Sequence, residues 1–236
     1  MNKLAALALT LLAPLAGGAS SKPRPVLSYF DALVNNDLPL AERSRPLHLV
    51  ALDTNAARRR ITVLDEKNRY LLVGRDSNLR SKKGELYELA VWNDKRGQDV
   101  LGIANLHAQK CPREWDEGTC TPGTEFWMRV EGIWYPVTDD LGAGICSPWS
   151  AHPLATLPPS IRAEVTRRSV ALVSILTPPG NRTPREQMPR FVCRLPRVGT
   201  TVRVLFDAVN TSRSVMKHTV LYLKWRGDRF VPSLTP

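Results

Sequence analysis

Apolar and polar residues alternate along most of the chain in short runs bounded by turn residues, which predicts strands rather than helices. RRITVLDEKNRYLLVG places Ile61 and Val63 before a polar Asp-Glu-Lys-Asn turn and then Tyr70 to Val73, a hairpin in outline. ELYELAVWNDKRGQDVLGIANLH repeats the plan around Gly97, and TEFWMRVEGIWYPV repeats it around Gly132. Both glycines stand where a tight turn requires positive φ. FVCRLPRVGTTVRVLFD reads as a further hairpin through Pro-Arg-Val-Gly, and LYLKWRGDRFVPSL closes the chain as another. Short turns force neighbouring strands to pair antiparallel. The fold class expected is therefore mainly β, an antiparallel meander of hairpins with one or two short helices.

Helical spacing is confined to two places. Pro25 opens a run with Val26, Phe30, Leu33 and Val34 on one face, which predicts a short amphipathic helix. SIRAEVTRR, 160–168, predicts a second, after which Val170 to Leu176 turns β-like.

Prolines divide the chain. CSPWSAHPLATLPPS, 146–160, carries four of them with little alternation and reads as a linker or a long crossing loop; TPPGNRTPREQMPR, 177–190, reads as a polar, basic loop. The expected organisation is a leader over 1–19, a β-rich half over 20–145, the proline-rich linker over 146–160 and a β-rich half over 161–236. FWMRVEGIWYPV and LYLKWRGDRFVP can be superposed, Arg129 on Lys224, Gly132 on Gly227 and Tyr135 on Phe230, which suggests two similar halves. Arg226-Gly227-Asp228 then takes the place of Glu131-Gly132-Ile133, so it reads as a hairpin turn rather than an adhesion signal.

The aromatic-rich hairpins, with ELYELAVWNDKRGQDVLGI in the middle and LPRVGTTVRV and LKWRGDRF at the end, resemble a loose set of bacterial secreted proteins of unassigned function. The resemblance covers half of the chain after the leader and implies an exported or periplasmic β-rich protein. It brings no catalytic residues with it.

The leader carries that expectation independently. MNKLAALALTLLAPLAGGASS has Lys3, an apolar run from Leu4 to Ala16 and small residues at Gly17 and Ala19, the layout of a secretory signal peptide cleaved after Ala19. The run is shorter than the roughly 20 residues a membrane span needs, and no later segment is apolar enough to serve as one. Export to the periplasm or beyond makes disulfides the default for Cys111, Cys120, Cys146 and Cys193. Three pairings are open. CPREWDEGTC favours Cys111 with Cys120, leaving Cys146 with Cys193. Cys-x8-Cys lacks the close pair of a zinc knuckle, so no metal site is expected.

Charge adds the partner. The chain has 33 Lys and Arg against 22 Asp and Glu, a formal net charge of +11. Ser20 to Pro159 holds 18 basic and 18 acidic residues, whereas Ser160 to Pro236 holds 14 and 4. An anionic partner for the C-terminal half follows. Strand alternation puts Phe191, Cys193, Leu195, Val202, Val204 and Phe206 inward and Arg190, Arg194 and Arg203 outward. With Tyr222, Lys224 and Arg226 of the last hairpin these make a basic stripe suited to phosphates or carboxylates.

Catalytic signatures are missing from the sequence. No G-x-S-x-G elbow occurs, His48, His107, His152 and His218 are scattered without H-E-x-x-H, and LGAG lacks the Lys of a phosphate loop. Asp139 and Asp140 are adjacent, so strand geometry would point them apart. No cofactor is expected. The leading expectation is an exported, non-catalytic protein that binds an anionic envelope polymer or lipid head group, with nucleic acid excluded by export. Two alternatives stand beside it: an inhibitor or partner of a secreted cell-wall hydrolase, anchored by Trp115 in the Cys111 to Cys120 loop, and an enzyme of unrecognised type.

Overall fold

A computed structural model describes residues 24–35, 37–38, 54–74, 87–106, 123–147, 150, 152–176, 190–207 and 218–236. Two antiparallel sheets dominate it. Strands β1 (Ile61–Asp65), β2 (Tyr70–Val73), β3 (Tyr87–Asn93), β4 (Asp99–Asn105), β5 (Gly123–Val130) and β6 (Ile133–Pro136) form a six-stranded meander in chain order. Strands β7 (Arg190–Arg194), β8 (Thr201–Asp207), β9 (Thr219–Trp225) and β10 (Phe230–Ser233) form a four-stranded one. The mainly β expectation holds, and each hairpin foreseen from the pattern is present.

Alternation along the first sheet sorts its side chains between two cores. Leu71, Val73, Leu89, Val91, Leu101, Ile103 and Trp127 face helix α1 (Val26–Val34), which lays Val26, Tyr29, Phe30 and Leu33 against them. Tyr70, Leu72, Ala90, Trp92, Val100, Ala104 and Phe126 face the other way, into a core shared with Cys193, Val202, Val204, Leu221, Leu223, Trp225 and Phe230 of the second sheet. The first sheet is thus a middle layer, helix on one side and sheet on the other, which is why β2 to β4 are apolar on both faces. Glu66, in the turn after β1, accepts the Val26 and Leu27 N–H groups at 2.9 and 3.2 Å. Its carboxylate supplies the cap that Pro25 lacks. Tyr29 O–H donates to Asp99, and Arg69 donates to the same carboxylate at 2.7 Å, which pins the helix across β4.

The proline-rich stretch is no free tether. It contains 3₁₀ turns at Gly144–Cys146 and Pro153–Thr156, and Ile145, Cys146 and Leu157 lie in the shared core. Helix α3 then runs unbroken from Pro159 to Leu176. The short helix expected over 160–168 is therefore twice as long, and the β-like reading of Val170 to Leu176 is corrected. Pro159 suits the first helical position, and Glu164 draws in Arg167 and Arg168 at 2.7 and 2.8 Å. Arg168 also donates to the Val220 carbonyl at 3.1 Å, fixing the helix to β9. There the register slips between Val204 and Leu205, so consecutive Val220 and Leu221 both enter the core. One further short helix, α2, spans Thr54–Arg58.

The two sheets are unequal, and the proposed superposition of their last hairpins does not survive. The β5–β6 turn holds two residues, Glu131 and Gly132, both at positive φ, between paired Val130 and Ile133. The β9–β10 loop holds four, Arg226 to Arg229, between paired Trp225 and Phe230. As a result Tyr135 is 41% exposed while Phe230, its supposed counterpart, is 2% exposed. The Arg-Gly-Asp triplet is a turn, as expected, and it is occupied. The Gly227 carbonyl accepts the Lys95 N–H at 2.7 Å, and Asp228 pairs with Lys95 Nζ at 2.7 Å.

Candidate functional site

A transverse row on the inner face of the first sheet runs Leu72, Glu88, Ala104, Thr124 across β2 to β5. Strand β7 crosses this row. Thr124 Oγ1 donates to the Cys193 carbonyl at 2.8 Å, and the Leu195 N–H donates to Glu88 at 2.8 Å. Glu88 is 1% exposed and also accepts from Tyr70 O–H at 2.9 Å and from Arg194 at 2.7 Å. Burial pushes the Glu88 carboxyl up from the ordinary carboxylate range, opposed by Arg194, the Leu195 N–H and Tyr70. Burial also raises the Tyr70 phenol, which leaves it a donor at any physiological pH. Small Ala104 leaves room for the crossing strand between the two polar anchors.

This network decides the fate of the basic stripe. Arg194 was expected to point outward; instead its side chain is 14% exposed and closes on Glu88. The reason is that β7 is an edge strand lying against the first sheet, so its arginine meets a carboxylate there rather than water. Arg197 likewise reaches back to Asp65 at 3.0 Å. Asn68 and Arg197 together hold the Asp65 carboxyl below its ordinary value. Part of the C-terminal positive charge is therefore neutralised by the N-terminal half.

What remains outward is a smaller set. Arg203 pairs in register with Tyr222, and Thr201 with Lys224, so Arg203, Tyr222 and Lys224 share one face of the second sheet. Arg203 is exposed and makes no ion pair among the described residues. Lys224 Nζ donates to the main-chain oxygen of Pro236 at 2.6 Å and keeps two more protons to offer. Arg226 is exposed at the start of the following loop. Arg190 lies on β7 opposite Asp207, and its side chain lies outside the described residues. Trp115, Cys111 and Cys120 also lie outside them. Cys146 and Cys193 are bonded as expected, with Cα atoms 5.5 Å apart, joining the 3₁₀ turn to β7.

A groove of about 410 Å³ lies elsewhere, beside α1, between Arg24, Asp31, Asp37, Arg129 and Trp134. Nothing in the chain pattern pointed to it. Its charges are mixed, and Asp31 is already held by Arg58, whose Nε donates at 2.8 Å. Among the described residues no three His, Cys, Asp or Glu side chains gather as metal ligands. No helix of the described residues is long and apolar enough to cross a membrane. Asp139 and Asp140 are exposed turn residues, and His152 and His218 are exposed.

Comparison with family models, with curated proteins and with solved structures finds no match.

Proposed function

We propose that this is an exported, non-catalytic protein that binds an anionic component of the cell envelope through the outward face of β8 and β9. The observation that carries the reading is the registered placement of Arg203 beside Tyr222, one pleat from Lys224, on a face where Arg203 has no acidic partner among the described residues. Guanidinium and ammonium groups favour phosphate and carboxylate, and a phenol beside both adds a donor and an apolar body. The leader sequence and the Cys146–Cys193 bond support export to an oxidising compartment. Arg194 stands opposite Arg203 in the register, but it lies on the edge strand and its charge serves Glu88.

Elution from a phosphate-bearing matrix under a salt gradient tests the proposal. Replacing Arg203 and Lys224 together by Ala is expected to bring elution to clearly lower salt. A control that removes the same charge from the first half, Arg59→Ala with Lys67→Ala, is expected to shift it far less. Equal shifts for the two double variants would mean that only net charge matters, and the proposed face would be abandoned.

A further inference from the structure

We infer that the ligand of this face is a linear polymer carrying repeated anionic groups, engaged along β9, rather than one compact head group or ion. The inference rests on the function proposed above and concerns the shape of the ligand.

The placement of these side chains points this way. Arg203 and Tyr222 form one cross-strand pair, and Thr201 and Lys224 the next on the same face. Successive same-face positions are roughly 7 Å apart along a strand, and side chains stand roughly perpendicular to a sheet. The two cationic side chains thus rise from separate pleats of a sheet face, not from the walls of a cleft that would converge them on one centre. Arg226 continues the line past the end of β9, exposed at the first position after Trp225. Lys224 already contacts one chain oxygen, that of Pro236, so it greets a ligand with part of its donor capacity and suits one contact among several. Finally, Tyr222 sits beside both cations, opposite Arg203 and two residues before Lys224, half-buried, where it supports a chain passing over it. Such a row gains by multivalency, because each successive contact is made at high effective concentration once the first has formed.

Binding of the purified full chain to long-chain linear polyphosphate and to tripolyphosphate, titrated at equal concentrations of phosphate groups, tests the inference. The polymer is expected to bind at least tenfold more tightly. Arg203→Ala and Lys224→Ala are each expected to lower the slope of log affinity against log salt by about one, as the loss of one phosphate contact does. Thermal melts of both variants, expected to match the parent, establish that the change is not unfolding. If tripolyphosphate binds as tightly per phosphate, the site is compact and this inference fails while the anion-binding function stands. If phosphatidylglycerol vesicles bind and neither phosphate probe does, the polymer is likewise excluded in favour of a membrane surface. If no anion binds, both readings fail together.

Discussion

Replacing Arg194 by Ala is the sharpest test of how the two sheets are joined. Glu88 would lose its only ionic partner among the described residues and keep the Tyr70 O–H and Leu195 N–H donors. Removing one side of a buried ion pair costs about 3–5 kcal/mol. The two surviving donors place the expected loss near the lower end, about 3 kcal/mol at neutral pH. The sign of the pH dependence follows from the raised Glu88 carboxyl. A group whose pKa is higher folded than unfolded stabilises fully below its unfolded value and loses that contribution as pH rises through the folded value. Without Arg194 the folded value climbs further, so the deficit of the variant should shrink as pH falls from 7.5 towards 5. Urea unfolding at both pH values, with the disulfide intact, measures this. The double variant Glu88→Leu with Arg194→Leu should recover most of the loss, because a buried pair replaced by apolar residues is close to neutral. A deficit below 1 kcal/mol at pH 7.5, or one that does not change with pH, would refute the buried-anchor account.

Two further outcomes follow from the packing and the charges. Gly102→Ala would place a methyl 2.6 Å from Trp92 Cζ3 and 3.2 Å from Phe126 Cε1 in the shared core, and a melt should report a loss of about 1–3 kcal/mol. Acid should act oppositely on the exposed pairs: Arg167 and Arg168 lower Glu164 to about 2, Lys95 lowers Asp228, and Asn68 with Arg197 lower Asp65. Their contributions are present above the unfolded carboxyl values and lost as pH falls through the folded ones. Helix signal in circular dichroism should therefore fall between about pH 4.5 and pH 2, and Glu164→Gln should blunt that change.

Most hairpins were legible because their turns carry glycine where positive φ is required, Gly97 at 79° and Gly227 at 86° among them; the β1–β2 hairpin was legible from its polar run instead, and there Arg69 takes the positive φ. Inward residues of β7 and β8 were legible from alternation alone. Helix α3 was cut short because Val170 to Leu176 is rich in β-branched residues, whose strand preference outweighs helical spacing in a local reading. Glu88 could not be read at all. A charged residue within LYELAVW looks solvent-facing until the register sets it in the row with Ala104 and Thr124. Its partner stands 106 residues away, so no local pattern joins them. The outward assignment of Arg194 failed for the same cause: alternation gives the side of a strand, not what lies against it.

The bond between Cys146 and Cys193 closes a span of 47 residues that includes all of α3. A protease cut anywhere inside that span leaves both fragments one covalent molecule. Nicked protein would therefore migrate as a single band until a reductant is added.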